Sequence, residues 1–193
     1  MTTTATTGRI KIPPTGTYAL DPDRSTVTFK MRHMFGAGAV SGSFAVASGE
    51  VVIADPPTDS SVHAEIRADS FATGNARRDK DVRSKRFLHV EQFPVIAFRT
   101  DRIHRGPDGD WTLHGTLTAR EVSAPVELTV TSVTSVTTVG STLSITADGT
   151  VDRYAHGITA FKGVAARHLR IEISATAIRL NQLSNHTPST VRV

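Results

Sequence analysis

The sequence predicts an all-β fold, a barrel or sandwich of about eight short antiparallel strands, with one short helix inserted near residues 75–88. Three observations lead there. Val, Thr, Ile and Ala are plentiful while aromatic residues make up only 6% of the chain, a balance that favours sheet over helix. Apolar and polar residues alternate with period two in segment after segment, separated by turn signals every ten or so residues. That alternation fails once, between Asn75 and Leu88, where charge dominates.

The strands can be placed in order. After Pro13-Pro14 the first begins near Tyr18, and Asp21-Pro22-Asp23 marks a turn. From Ser25 to His33, Val27, Phe29 and Met31 share one face while Thr28, Lys30 and Arg32 share the other. His33 falls on the apolar face, near the end of its strand. A flexible connection, Phe35-Gly36-Ala37-Gly38, leads to a strand from Gly42 to Ile53 with a break expected at Gly49. Asp55 to Ser60 is a turn. Val62, Ala64, Ile66 and Ala68 then alternate against His63, Glu65 and Arg67.

In the interruption, Val82 and Arg86 lie four apart and Phe87-Leu88 closes the run, which fits a short helix ended by Phe93-Pro94. Val95 to Ile103 resumes the sheet, and Pro107-Asp108-Gly109-Asp110 is a hairpin turn. Trp111, Leu113, Gly115 and Leu117 alternate next, then Val126, Leu128 and Val130, then Leu143, Ile145 and Ala147 up to Asp148-Gly149. A loop around Tyr154 to Gly163 precedes the last strand, where Leu169, Ile171, Ile173 and Ala175 share a face. The inward sets include Ala64, Ala68, Gly115, Ala147, Ala175 and Ala177. Small residues from several strands lean towards a cavity, although closely packed sheets use the same residues.

With 193 residues the chain is one domain, read as a barrel at 17–180 between polar tails at 1–16 and 181–193. The net charge is +4 and the pI about 9.8, but the arginines are dispersed, with one concentration at Arg77, Arg78, Arg83 and Arg86. Nucleic-acid modules carry denser basic stripes interleaved with exposed aromatics, so nucleic acid is not an expected partner. There is no cysteine, hence no disulfide and no thiol chemistry. The opening residues lack an apolar secretory core and no segment reads as a membrane span, giving a cytoplasmic protein without stable membrane insertion.

Chemistry-bearing motifs are missing. None of the eight histidines stands in an HxH or HExxH pair, so no metal ligands are assigned. There is no nucleophile elbow and no phosphate-cradling loop. Asp79 and Asp81 are expected to pair along the helix with Arg83 and Lys85. No catalytic residue and no cofactor is assigned.

Five pieces in order carry a family resemblance. Tyr18-Ala-Leu-Asp21-Pro, Ser25-Thr-Val-Thr-Phe29 and Arg32-His33-Met34 form the first, and Gly42-Ser-Phe44 with Gly49 the second. Thr73, Arg78-Asp79, Arg83-Ser84, Phe87, Phe93-Pro94 and Phe98 form the third. Gly115-Thr-Leu117-Thr118 with Pro125-Val126, then Asp152-Arg153 with Gly157, complete the set. Over residues 17 to 179 the chain resembles the YceI-like family of polyisoprenoid-binding proteins. It departs from that pattern at Asp81, where the family often has His, and at Val82, where it has Leu. It also departs at Glu121-Val-Ser123-Ala-Pro125, which lacks the usual Gly.

The resemblance implies an extended lipocalin-like antiparallel barrel whose helix closes an apolar tunnel. It also implies an isoprenoid lipid as ligand, a polyprenyl phosphate or isoprenoid quinone, carried or sequestered without catalysis. Candidate wall residues are Phe29, Met31, Phe44, Ile66, Phe98, Trp111, Leu113, Leu128 and Ile171, with Phe71 and Phe87 near the cap; each fits ordinary core equally well. Head-group candidates are Arg78, Arg83 and His33, for which helix-surface ion pairing or a satisfied rim histidine is the plain alternative. Two other readings stay open: an enzyme using His33, Tyr154 or His156 on a hydrophobic substrate, and a packed interaction module with no ligand. A homodimer and transient membrane contact are further expectations.

Overall fold

A computed structural model of the chain describes residues 10–32, 38–136 and 141–180. The chain forms β1 (Gly16–Leu20), β2 (Thr26–Arg32), β3 (Ala39–Ile53), β4 (Ser61–Arg67), α1 (Ala76–Arg83), β5 (Val95–Arg105), β6 (Trp111–Ala119), β7 (Val122–Val136), β8 (Thr142–Asp152) and β9 (His168–Arg179). Every strand pair is antiparallel, and from β2 to β9 each strand pairs with the next in sequence. Closure comes from the start of the chain: β1 and β2 both lie between β3 and β9. They form one broken stave, so nine strands make an eight-stave barrel.

The break is a built feature. Asp21 accepts a hydrogen bond from the Asp23 amide at 3.1 Å and starts a turn of 3-10 helix, Pro22–Arg24. Its own amide donates to the Thr176 carbonyl at 2.8 Å. Buried Ser25 then accepts from the Thr176 amide at 3.0 Å. These bonds hold the interruption against β9 and keep the Asp21, Asp23 and Thr176 amides paired where the stave bends.

The break expected at Gly49 is absent. β3 runs through Gly49, as β8 runs through Gly149. A Cβ on Gly49 would sit 2.5 Å from the His63 carbonyl oxygen and from Leu20 Cδ1. The glycine is there because neighbouring backbone and a side chain occupy that space. The strand bends are instead marked by register shifts between Val46 and Ser48, Thr100 and Arg102, and Val130 and Ser132.

Along the inner face the buried residues form three clusters. Tyr18, Leu143 and Ala177 are fully buried near one end, where the Tyr18 hydroxyl donates to the Pro14 carbonyl at 2.8 Å. Phe98, Trp111, Leu113 and Leu128 build a second group on β5, β6 and β7. Phe29, Phe71, Phe87, Leu88 and Ile158 form the third, under the connections at the other end.

Two connections roof that other end. One runs from β4 to β5 and contains α1; the second, residues 153–167, joins β8 to β9. The first is laced onto β3 by mutual backbone bonds between Ser43 and Ala72 and by the Ser70 hydroxyl, which accepts from the Ala45 amide at 2.8 Å. Asn75 caps α1, accepting from the Arg78 amide at 3.0 Å. The helix ends at Arg83, short of the expected Leu88, and the chain continues in turns.

Ile10 to Thr15, assigned from sequence to a loose tail, lie against the opposite end of the barrel. Ile10, Lys11, Ile12 and Pro13 line a small pocket there, and an Arg179 Nη donates to the Thr15 carbonyl at 2.7 Å.

Candidate functional site

Inside the barrel is a cavity of about 270 Å³. That is roughly twenty times the ~10–15 Å³ one water molecule needs. Its wall is aliphatic and aromatic on every side except at Arg78, Arg153 and His156.

Of the residues singled out from sequence, Phe29, Met31, Phe44, Ile66, Phe71, Arg78, Phe87, Phe98, Leu113, Leu128 and Ile171 stand on this wall. Phe29, Phe44 and Phe71 meet as a trio under α1, with ring centroids 5.2 to 5.8 Å apart. Trp111 is elsewhere: it lines the smaller pocket of about 90 Å³ under Ile10–Pro13, at the end opposite the helix. Val51, Val62, Leu113 and Ile145 border both spaces and so form the partition between them. His33 lies outside the described residues.

The small inward residues divide. Ala64, Ala147 and Ala175 open onto the cavity, whereas Gly115 makes no room for a ligand. A Cβ there would lie 2.6 Å from the Phe98 ring, so the ring already fills the space.

Helix α1 turns charge inward as well as outward. Asp79 is buried, and its carboxylate accepts from the Thr73 hydroxyl at 2.5 Å and the Thr73 amide at 3.0 Å. Burial pushes that carboxyl up, but the two Thr73 bonds and the nearby Arg83 and Arg78 charges outweigh it and hold the group below its usual range. The expected Asp79–Arg83 and Asp81–Lys85 ion pairs do not form. Asp79 is spent on Thr73, and Lys85 lies beyond the last helical residue.

The three arginines of interest therefore differ. Arg78 donates from Nε to the Thr73 hydroxyl at 2.8 Å, and among the described residues its terminal nitrogens have no hydrogen-bond partner. Arg83 does not line the cavity; it donates to the Phe71 carbonyl at 2.6 Å. Arg153, which sequence reasoning placed only in a loop signature, is buried on the wall. Its guanidinium donates to the carbonyls of Ile158, Ala160, Ala165 and Ala166 at 2.7 to 3.0 Å. Burial lowers its pKa, yet the guanidinium remains charged.

His156, also buried on the wall, has Nδ1 3.0 Å from the Val122 carbonyl oxygen. A carbonyl oxygen only accepts, so Nδ1 is the donor in that bond. Among the described residues no three His, Asp or Glu side chains gather as a metal site. No helix among them is long and apolar enough to cross a membrane.

Comparisons with known proteins match this geometry. Among solved structures, BcnA of Burkholderia cenocepacia superposes with a TM-score of 0.66 at 17% identity, covering 81% of this chain and 98% of that one. A polyisoprenoid binding domain from Saccharophagus degradans, implicated in plant cell wall breakdown, gives 0.61 at 12% identity, covering 84% and 98%. At such identities the likeness is one of fold.

Among curated sequences, a UPF0312 protein of Yersinia enterocolitica is 32% identical over 114 residues. The matched segment is 58% of this chain and 58% of that relative's length. The model of the YceI-like domain matches residues 18–177, from the fully buried Tyr18 to the fully buried Ala177, which takes in every stave of the barrel. The chain belongs to the YceI-like family.

Proposed function

We propose that this barrel binds one long isoprenoid lipid, a polyprenyl phosphate or isoprenoid quinone, for carriage or sequestration and without catalysis. The observation that carries the reading is the apolar cavity itself, which a packed interaction module has no reason to keep. Each buried methylene of a tail contributes about 0.8 kcal/mol, so shape and apolar walls suffice for affinity. A branched, flexible tail suits a wall of Val, Ile, Leu and Phe better than a rigid polar solute does. Arg78 is the residue proposed to hold an anionic or carbonyl head group, since it has one bond among the described residues and donors to spare, whereas Arg153 spends four of its five donors on the loop.

The test is mass spectrometry of the organic extract from protein purified without detergent. A stoichiometric prenyl lipid supports the reading. An extract that stays empty after incubation with isoprenoid lipids overturns it.

One observation favours a second reading. His156 presents a titratable group to the cavity, as an enzyme acting on a hydrophobic substrate requires. Loss of turnover in His156→Ala with ligand retention intact would select that reading over carriage.

A further inference from the structure

The two roofing connections meet on the outside of the barrel at Phe161. Its ring packs against Phe87, with centroids 5.7 Å apart, and Phe87 lines the cavity on its other side. The guanidinium carbon of Arg86 lies 4.6 Å over the same Phe161 ring. Phe161 is nevertheless 45% exposed and Val164, one turn on, 49% exposed. Phe161 also has a positive φ of 53°, a conformation that a bulky side chain rarely adopts. An aromatic ring and a valine are thus presented to solvent at the cavity's roof.

The charge around them is one-sided. Between Asp81 and Glu91 the chain has Arg83, Lys85 and Arg86 and no acidic residue. Between Asp152 and Glu172 it has Arg153, Lys162, Arg167 and Arg170 and again none. Lys85, Arg86 and Lys162 are exposed and form no ion pair among the described residues. The opposite end of the barrel also exposes apolar side chains, Ile12, Val136 and Leu180 among them. There, however, the connections at 54–60 and 106–110 carry Asp55, Asp59, Asp108 and Asp110 and no cation. Taken whole, the roofing connections 68–94 and 153–167 carry nine Lys and Arg against four Asp and Glu, so the roof is the cationic end, although Lys11 and Arg179 also stand at the opposite one.

We propose that the roof is a docking surface for an anionic lipid bilayer. Phe161 and Val164 insert among the head groups while Lys85, Arg86 and Lys162 meet the surface charge. Exposed apolar residues inside a cationic ring are what an interfacial anchor requires, and each basic side chain near an anionic surface adds to the attraction. The aspartates at the opposite end repel the same surface and so set the orientation. Docking this way brings Phe87 and the cavity behind it towards the membrane, where a lipid ligand would enter or leave. The proposal rests on the lipid-binding reading for its purpose, but the surface can be tested without it.

The experiment is flotation of the purified protein with vesicles of phosphatidylcholine alone and of phosphatidylcholine mixed with phosphatidylglycerol, at low and high salt. The expected result is binding to the anionic vesicles only, weakened by salt. Arg86→Glu with Lys162→Glu should weaken it about tenfold or more, since each cation contributes about a factor of five. Phe161→Asn keeps a residue that tolerates positive φ and should also abolish most binding. Asp108→Lys, at the far end, should not weaken it. Absence of binding to anionic vesicles, or equal binding by the wild type and the roof variants, overturns the proposal. So does a dimer that Phe161→Asn dissolves in a protein that ignores vesicles, because the face would then belong to a second copy. Lipid extraction on the same preparations keeps the two readings apart: vesicle binding with an empty cavity fails the carrier alone, and a filled cavity without vesicle binding fails the docking surface alone.

Discussion

An Nη of Arg153 donates to the Ile158 carbonyl at 2.7 Å, closing the turn Tyr154–Gly157 around a buried cation. The same guanidinium reaches Ala160, Ala165 and Ala166, so one side chain organises most of the loop between β8 and β9. Arg153→Met is expected to cost about 3 kcal/mol, because one buried and three partly buried carbonyls lose a charged donor together. Arg153→Lys should recover little of it, since an ammonium cannot span the fork. Urea unfolding gives the energy, and hydrogen exchange should show the loss of protection confined to about residues 155–167. Protection unchanged there would mean that the carbonyls find water instead.

The cavity itself can be filled. Ala147 and Ala175 line it from neighbouring strands, paired with Ile173 and Ile145 respectively. Ala147→Phe should leave thermal stability unchanged or raise it, since the ring enters empty space, while ligand retention falls at least about tenfold. In a packed interior the same substitution would cost about 1–3 kcal/mol. Thermal melts together with lipid extraction separate these outcomes.

Arg78 discriminates head groups. Arg78→Gln is expected to weaken an anionic-headed isoprenoid by about 1.5–3 kcal/mol and to leave a hydrocarbon analogue unchanged, because only the charge-assisted bond is removed. A competition assay with the two ligands reads the difference. Equal loss for both would mean that the substitution had disturbed the wall.

Acid should loosen the loop from its other side. The two bonds from Arg167 to Asp152, at 2.6 and 2.9 Å, hold the Asp152 carboxyl at about 2, well below the ordinary 3.8. A carboxyl depressed in the folded state stabilises it above the unfolded pKa, and that contribution is lost as pH falls from about 4 through 2. Arg167 is half exposed, so solvent screening limits the effect to about 0.5–1 kcal/mol. Asp152→Asn should flatten this part of the acid-unfolding curve, and a wild-type slope in the variant would assign it to other carboxylates.

Much of this was written in the order of the residues. Alternation of Val27, Phe29 and Met31, and of Leu169, Ile171 and Ile173, fixes strands and tells which side chains face the interior, because a pleated strand turns successive side chains to opposite faces. The failure of alternation at Asn75 marks α1, and Phe93-Pro94 its return to sheet. What the pattern does not carry is height along the barrel axis. Trp111 and Leu113 share a face, yet only Leu113 reaches the larger cavity, because register and stagger among eight staves set how far along each residue sits. Gly115 read as space and is filled by Phe98 from the neighbouring strand. Buried polar partnerships were equally hidden. Ser25 meets Thr176 across 151 positions, and the value of Arg153 depends on four carbonyls that come into range only when the loop closes. Local periodicity determined the strands and their inward faces; closure of the sheet, a long-range event, decided which of those faces enclose a cavity and which arginine is left to serve it.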